Sequence, residues 1–262
     1  MTDWGTCLTT MRQGAPLVQN ITNYVSMNVM ANVMLAVGAS PAMVHAEQEA
    51  AEFAAIAQAL TINIGTLSAH WIASMKAAAS IAAQQGKPWV LDPVAVGATA
   101  MRRQAGRDLL ALKPTIIKGN ASEIMALAGE AARGKGADSA DSVADAEGAA
   151  LALARASGAV VAVTGPVDFV TDGSRSFRIA NGDATMPRIT ALGCSLGGVM
   201  AAFAATQPPL QAAVAALAYF GLAGEIAAET SQGPGSFAVA FLDALHSIDA
   251  GTLSAGAKVT EA

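Results

Sequence analysis

Charged and aromatic residues are scarce in this chain of 262 residues. Asp, Glu, Lys and Arg together make up 13% of it, and Phe, Trp and Tyr make up 5%. The net charge is −5, and no cluster of Lys and Arg stands out. Because nucleic acids are held by clustered basic residues, this composition excludes a general nucleic-acid binder and makes any anion site a local one.

Cysteine is nearly absent as well, since the chain contains only Cys7 and Cys194. These isolated cysteines do not form a disulfide framework of the kind that stabilises small secreted domains. Residues 1–13 contain no apolar segment typical of a secretory signal. The sequence therefore predicts a protein of the reducing cytoplasm.

Long apolar runs are also missing. Two late runs, residues 189–205 and 212–224, are each shorter than the roughly 20 residues that a membrane-spanning helix needs. Both runs are rich in Ala and Gly, and a Thr-Gln-Pro-Pro segment separates them. We expect both to be packed interior helices of a protein that has no membrane partner.

Hydrophobic residues, many of them alanine, account for 53% of the chain. A chain of this length and composition can bury the core of one large α/β domain. We expect a single domain over residues 1–262, with its core at about 16–250. So few charges remain to cover the exterior that part of the surface is expected to be buried against other subunits.

Short apolar runs alternate with helix-length segments as far as Thr164. Predicted strands lie at 40–44, 60–64, 89–92, 115–118 and 159–163, and predicted helices lie at 47–58, 67–85 and 99–112. This alternation is typical of βαβ units with right-handed crossovers. The sequence therefore predicts an α/β fold whose mostly parallel central sheet is covered by helices on both faces.

The pattern changes after Thr164. Residues 168–170 and 176–179 flank an Asp-Gly turn and predict a β-hairpin. Three further predictions cover the remaining segments: helices from 194 to about 247, a surface loop within 129–148 leading into a helix at 143–156, and a loose tail after Gly251.

The residues that follow each strand are site candidates, because ligands bind outside the carboxyl ends of the strands in an open parallel sheet. The strongest candidate is residues 190–198, TALGCSLGG, directly before an apolar helix. A helix start presents free N–H groups and a positive dipole end, and Gly193 is expected to let the backbone turn tightly there. We therefore predict a cradle at Gly193 for a phosphoryl group. Thr164 either touches a nucleotide phosphate or forms an ordinary strand-end turn.

Cys194 lies at the same helix start, where a thiol is expected to have a lowered pKa and to ionise more readily. A thiolate beside a bound alcohol can accept the proton of that alcohol. Two alternatives remain open. Cys194 is either a buried cysteine in a contact between small residues, or the nucleophile of a thiol-dependent transferase or hydrolase with His45 as its base.

Two carboxylates and a lysine follow predicted strands. Pro93 holds Asp92 extended at a strand tip, and both Asp92 and Glu123 are candidates to hold Mg²⁺ beside phosphates. Lys118 can contact phosphate as a point charge. The alternatives are structural: a turn aspartate, a solvated lysine, and a capping box between Asn120 and Glu123.

A series of short segments then occurs in a characteristic order. The segments are PLVQNITNYVSMN at 16–28, SPAMVHAE at 40–47, NIGTL at 63–67, LDPVAVG at 91–97, KGNASE at 118–123, VTG at 163–165 and Gly193-Cys194. This ordered set, which covers about residues 16–245, resembles the hydroxyethylthiazole kinase family of the ribokinase-like superfamily.

The resemblance implies transfer of the γ-phosphoryl group of ATP to the hydroxyl of 4-methyl-5-(2-hydroxyethyl)thiazole in thiamine biosynthesis and salvage. It also implies a homotrimer with sites at subunit interfaces. By the same resemblance, Met43 and Ala191 lie on the thiazole with Asn23 nearby, Lys118 and Thr164 contact ATP, Asp92 and Glu123 hold Mg²⁺ and phosphate, and Cys194 takes the place of a catalytic Asp in related sugar kinases.

Two positions depart from the family pattern. Ala191 replaces the first Gly of the usual Thr-Gly-x-Gly-Cys, and its methyl group is expected to narrow the loop or restrict its backbone. Lys118 stands where the family often has Arg, so a bidentate phosphate contact is lost. Three other functions remain open: phosphorylation of another heterocyclic alcohol, ATP- or ADP-dependent dehydration of a hydrated nicotinamide cofactor on a similar fold, and nucleotide binding without catalysis.

Overall fold

A nine-stranded sheet runs through the centre of the molecule. The computed structural model describes residues 3–131 and 143–262. The strands are β1 (Leu17–Ile21), β2 (Ser40–Ala42), β3 (Ala59–Asn63), β4 (Trp89–Asp92), β5 (Ile116–Asn120), β6 (Val160–Thr164), β7 (Asp168–Thr171), β8 (Ser176–Ile179) and β9 (Val259–Glu261). Their order across the sheet is β2-β1-β3-β4-β5-β6-β7-β8-β9. Pairing is parallel from β2 to β6 and antiparallel from there to β9.

Helices connect the strands and cover both faces of the sheet. They are α1 (Trp4–Gly14), α2 (Met27–Val37), α3 (Ala50–Ile56), α4 (Ala69–Gln84), α5 (Ala100–Leu110), α6 (Ala121–Ala131), α7 (Val143–Ser157), α8 (Leu192–Ala204), α9 (Pro209–Thr230), α10 (Pro234–Ser247) and α11 (Ala250–Gly256), with a short 3₁₀ turn at Met186–Arg188. Polar residues fix several helix starts: the side chains of Asp3, Ser68, Thr99 and Asp249 each accept a backbone N–H in the first turn.

The core consists of two buried clusters, one on each face of the sheet. One cluster gathers α1, α2, α8, α9 and α10, and the other gathers α3 to α7. Strands that are covered on both faces are apolar along their length, and every residue of β3 and β4 is buried. This arrangement confirms the α/β fold with a mostly parallel sheet.

One helix of the described residues, α9, is long and apolar enough to cross a membrane. In this structure 83% of its 18-residue apolar window is buried inside the protein. Its apolar character is explained by contact with α8 and α10 in the core. The prediction that residues 189–205 and 212–224 form packed interior helices is therefore confirmed.

The predicted strands and the hairpin are confirmed with small shifts of their ends, and the helices from 194 to 247 are confirmed as α8, α9 and α10. The expectation of a loose tail after Gly251 is wrong, because α11 packs against α1 and β9 pairs with β8. The predicted loop within 129–148 falls mostly on residues 132–142, which lie outside the described residues. The helix expected at 143–156 is α7.

Candidate active site

The carboxyl ends of the parallel strands meet at one edge of the sheet. Asn63 ends β3, Asp92 ends β4 and Thr164 ends β6. Lys118 lies in β5, directly before Gly119 and Asn120, which end that strand. The start of α8 lies over this edge, since a Cβ on Gly197, in the second turn of the helix, would lie 3.4 Å from Thr61 Cγ2 and 4.0 Å from Asp92 Cβ. The strand ends and the helix start are thus brought together as the sequence predicted.

A buried ion pair joins β4, β5 and the start of α8. The Nζ of Lys118 donates to Asp92 Oδ2 at 3.1 Å and to the carbonyl oxygen of Gly193 at 2.9 Å. Lys118 is 5% exposed and Asp92 is 0% exposed. Lys118 is therefore not the solvated lysine that we considered from the sequence.

Two asparagine amides connect this ion pair to the thiol. Asn63 Nδ2 donates to Asp92 Oδ2 at 2.7 Å, and Asn23 Nδ2 donates to Asn63 Oδ1 at 2.8 Å. The same Nδ2 of Asn23 lies 3.4 Å from the Sγ of Cys194. Because Lys118 bonds Gly193 and Cys194 follows Gly193 in the chain, these contacts form a closed ring. We call these six residues the polar ring: Cys194, Asn23, Asn63, Asp92, Lys118 and Gly193.

Burial sets the ionisation of the ring. It raises the pKa of Asp92 to about 6, although the charge of Lys118 acts in the opposite direction. Burial alone would lower the pKa of Lys118, but the charge of Asp92 and the neighbouring acidic groups raise it overall. Lys118 is therefore a cation at neutral pH. Within the part of the chain that the structure describes, Asp92 Oδ1 is buried and has no hydrogen-bond partner.

The expectation of a lowered thiol pKa is wrong. Burial and the charge of Asp92 raise the pKa of Cys194, and they outweigh Lys118 and the hydrogen bond from Asn23. The helix start therefore does not make Cys194 a thiolate at neutral pH.

Glu123 forms the capping box that the sequence offered as an alternative. Its Oε2 accepts the N–H of Asn120 at 2.9 Å, and Asn120 Oδ1 accepts the N–H of Glu123 at 3.0 Å. Its Oε1 accepts the N–H of Ala95 at 2.9 Å. Glu123 thus fastens the loop after β4 to the start of α6, with both carboxylate oxygens engaged.

The tight turn before α8 falls on Ala191 rather than on Gly193. Ala191 has φ 67° and ψ −3°, in the left-handed region, whereas Gly193 lies inside the first turn of the helix. A Cβ on Gly193 would lie 3.9 Å from Lys118 Nζ, so glycine at this position keeps a side chain out of contact with the buried cation. The expectation that Ala191 restricts this loop now has a physical basis in its positive φ.

We expect Ala191→Gly to stabilise the protein by about 1 kcal/mol, because only glycine adopts the left-handed region without steric strain. The measurement is urea denaturation, with Ala95→Gly as a second positive-φ site (φ 52°) outside this loop. Equal or lower stability of Ala191→Gly would show that Ala191 is not strained.

A cavity of about 640 Å³ opens beside the ring. Its polar rim includes Asn120, Thr164 and Gly193, and its apolar wall includes Leu192, Leu196, Met186, Ile189, Leu217 and Phe220. Asp168 also lines it, and burial raises the pKa of this carboxyl to about 7 while the N–H of Gly165 donates to it at 2.9 Å. No motif in the sequence points to Asp168 as a site residue.

The structure brings one of the three predicted acceptor residues, Asn23, into contact with the thiol. Asn23 contacts Cys194, and Ala191 precedes α8. Met43 follows β2, is half-buried and packs against the cluster that contains Leu192 and Leu196. Their contact with a substrate stays a prediction.

His45, the base that a nucleophilic Cys194 would need, belongs to a different part of the surface. Its ring packs edge-on against Trp71 at 5.0 Å. It lines a second cavity of about 260 Å³ that shares no lining residue with the first. The thiol instead faces the amide of Asn23, which has no basicity. The geometry therefore does not favour thiol-dependent hydrolysis.

Comparison with known proteins agrees with the resemblance seen in the sequence. The model of the hydroxyethylthiazole kinase family matches residues 8–251. Hydroxyethylthiazole kinases of Cereibacter sphaeroides and Rhizobium leguminosarum bv. trifolii are 69% and 63% identical over 258 and 260 residues, which is 98% of this chain in each case and 98% and 97% of theirs.

Solved structures show the same likeness. The structure of a hydroxyethylthiazole kinase protein from Pyrococcus horikoshii OT3 matches with a TM-score of 0.94 and 42% identity over 100% of both chains. A pyridoxal kinase from Staphylococcus aureus matches with a TM-score of 0.64 and 15% identity, over 94% of this chain and 98% of its own. The second match concerns the fold alone and agrees with a ribokinase-like architecture.

Proposed function

We propose a mechanism for this chain, which belongs to the hydroxyethylthiazole kinase family and is therefore a kinase of a thiazole alcohol. The reaction is transfer of the γ-phosphoryl group of ATP to the hydroxyl of 4-methyl-5-(2-hydroxyethyl)thiazole in thiamine salvage. The observation that carries the mechanism is the polar ring, which joins a buried lysine and carboxylate to a thiol and reaches a large cavity at Gly193. Phosphoryl transfer depends mainly on positioning and charge neutralisation, which such a rigid set of contacts supplies.

ATP is proposed to occupy the cavity of about 640 Å³. Its apolar wall suits a nucleobase, and its rim at Asn120, Thr164 and Gly193 suits the phosphates. Lys118 donates to the carbonyl oxygen of Gly193 on that rim, and Gly193 belongs to the first turn of α8 with its free N–H groups. The cation and these N–H groups are proposed to stabilise negative charge on the transferred group.

The thiazole alcohol is proposed to lie at Asn23 and Met43, with Ala191 in the adjoining loop. Asn23 touches the sulfur of Cys194, so an alcohol bound beside this amide is within reach of the thiol. Cys194 Sγ is the group proposed to accept the alcohol proton. Because its raised pKa keeps it largely protonated at neutral pH, this base contributes less than the positioning of the substrates.

Mg²⁺ is proposed at Asp92, whose buried and unpartnered Oδ1 suits a hard cation. The described residues contain no group of three or more His, Cys, Asp or Glu that could hold a metal. Mg²⁺ needs no such group in kinases, since it takes one or two carboxylates together with phosphates and water. When bound, the ion neutralises phosphate charge. Glu123, with both oxygens engaged, is proposed to act on it only through water.

Glu123→Gln is expected to lower the free energy of unfolding by about 0.5–1.5 kcal/mol. An amide can accept only one of the two N–H groups that Glu123 now accepts, and its NH₂ would face the other. Thermal melting measures this loss, and a Mg²⁺ titration of ADP release measures the proposed weaker Mg²⁺ dependence. Glu147→Gln serves as the control, because Glu147 pairs with a surface arginine, Arg178. An unchanged melting temperature would contradict the stabilising role of Glu123 between the loop after β4 and the start of α6.

A homotrimer with sites at subunit interfaces is part of the proposal. Tyr24 and Val25, directly after Asn23, are 68% and 59% exposed, and Leu35 on the neighbouring α2 is 62% exposed. Large apolar side chains next to the proposed acceptor position suit a contact between copies of the chain. A cytoplasmic location is proposed because Cys7 and Cys194 are both free thiols.

The decisive experiment measures ADP release with ATP, Mg²⁺ and a panel of heterocyclic alcohols that includes the thiazole. Release that depends on the thiazole alcohol supports the proposal, and preference for another alcohol changes the substrate. A coupled assay with hydrated nicotinamide cofactor tests dehydration. Stabilisation by ATP without ADP release would instead indicate a nucleotide-binding protein that lacks catalysis.

A further inference from the structure

Asn63 occupies the middle of the polar ring. It is the last residue of β3, and it is 1% exposed. Its Oδ1 accepts from Asn23 Nδ2 at 2.8 Å and from the N–H of Gly65 at 3.0 Å. Its Nδ2 donates to Asp92 Oδ2 at 2.7 Å. Both ends of the amide are therefore engaged by different neighbours.

The two neighbours make opposite demands. A carboxylate such as Asp92 can only accept, and the Nδ2 of Asn23 can only donate. Asn63 satisfies both because an amide carries a donor and an acceptor. Its donation to Asp92 Oδ2, together with that of Lys118, leaves Oδ1 as the carboxylate oxygen that has no partner among residues 3–131 and 143–262. Its Oδ1 holds the NH₂ group of Asn23 toward the sulfur of Cys194.

We propose that Asn63 is a positioning residue for phosphoryl transfer. It fixes Asp92 at the nucleotide end and, through Asn23, the thiol of Cys194 at the acceptor end. The proposal rests on the function proposed above, in which these two groups face the two substrates. Because misplacement of reacting groups affects the chemical step, loss of Asn63 lowers kcat more than it raises KM.

A purely structural role would be to shape the turn after β3 through the N–H of Gly65. Arg102 holds that turn independently, because its guanidinium donates to the carbonyl oxygens of Ile64 and Gly65 and, at 2.9 Å, to that of Val94. The turn therefore keeps an anchor when the side chain of Asn63 is removed.

The test compares Asn63→Ala, Asn23→Ala and the double variant in kcat, in KM for ATP and for the thiazole alcohol, and in melting temperature. Asn63→Ala is expected to lower kcat about 10–100-fold, with a smaller change in either KM. The double variant should be little slower than the slower single variant, because both substitutions break the same connection to Cys194.

Asn63→Asp separates positioning from support of the turn. Its carboxylate still accepts from Gly65 and Asn23, so the turn is retained, but it cannot donate to Asp92 when ionised. We expect this variant to lose kcat as well while it keeps its fold. Thr61→Val is the matched control: Thr61 is buried in the same strand on the same face, two residues earlier, and is expected to keep wild-type kcat.

Wild-type kcat in a folded Asn63→Ala or Asn63→Asp protein overturns the proposal. Independent, multiplicative losses in the double variant also overturn it, because Asn63 would then not act through Asn23. If Asn63→Ala does not fold, Asn63→Asp decides. A wild-type protein that releases no ADP with any alcohol refutes the proposed function itself, whereas an active wild type with fully active Asn63 variants refutes only the role of Asn63.

Discussion

Lys118→Ala is expected to abolish measurable ADP release and to lower the free energy of unfolding by about 3–5 kcal/mol. Lys118 is 5% exposed and neutralises Asp92, which is fully buried. Removing one partner of a buried pair leaves the other charge without compensation. The same substitution removes the cation that binds the Gly193 carbonyl at the rim of the cavity, so phosphate stabilisation is lost together with stability.

The stability loss of Lys118→Ala should grow with pH. Lys118 is what lowers the pKa of Asp92 against burial, so its removal raises that pKa above the present value of about 6. A carboxyl that keeps its proton longer in the folded state than in the unfolded state loses stability as pH rises between its unfolded and folded pKa values. Denaturation at pH 5 should therefore show a smaller loss than denaturation at pH 8.

Two matched variants accompany Lys118→Ala. Lys118→Arg keeps the charge and introduces the residue that the family often has, so it should retain turnover and stability. Lys76→Ala removes a surface ion pair of similar length, 2.9 Å to Asp108, and should cost less than about 1 kcal/mol. Wild-type turnover in Lys118→Ala would show that the buried cation does not act on ATP.

The sequence predicted the architecture because its signals are local. Apolar runs bounded by turn residues located the strands β2 to β6 and the hairpin. Because ligands bind outside the carboxyl ends of parallel strands, the residues at these ends, Asp92, Lys118 and Thr164, were site candidates. Asn63 ends β3 in the same way, so the rule could have identified it. The tail was misjudged because β9 exists only through its pairing with β8, a contact between segments far apart in sequence.

The electrostatics of the site were not predictable from local sequence. A helix start argued for a reactive thiol at Cys194, but burial and the charge of Asp92 prevail, and both depend on the folded arrangement. The glycine at 193 suggested the turn, yet the backbone places its positive φ at Ala191. Glu123 fitted both a cap and a metal ligand, and only its contact with Ala95 showed how fully its oxygens are engaged.

Cys194→Ala is expected to lower kcat by about 10²-fold without abolishing turnover. The thiol is proposed as the proton acceptor, while the larger contributions come from Lys118, the start of α8 and the placement of the substrates. The fold should not change, because alanine removes only a sulfur from a half-buried position. Loss of all activity would mean that Cys194 acts as more than a base.

The pH dependence of kcat distinguishes a proton acceptor from a packing residue at Cys194. Since the pKa of Cys194 is raised, the thiolate fraction of the wild type increases as pH rises above neutrality, and kcat should rise with it. Cys194→Ala should lose this rise. Cys194→Asp, which carries the carboxylate of related sugar kinases, ionises at lower pH and should move the rise toward acid while it retains turnover. Two results would show that Cys194 does not accept the proton. One is a Cys194→Asp protein that folds and binds ATP but has no activity, and the other is a pH dependence of kcat that is unchanged in Cys194→Ala.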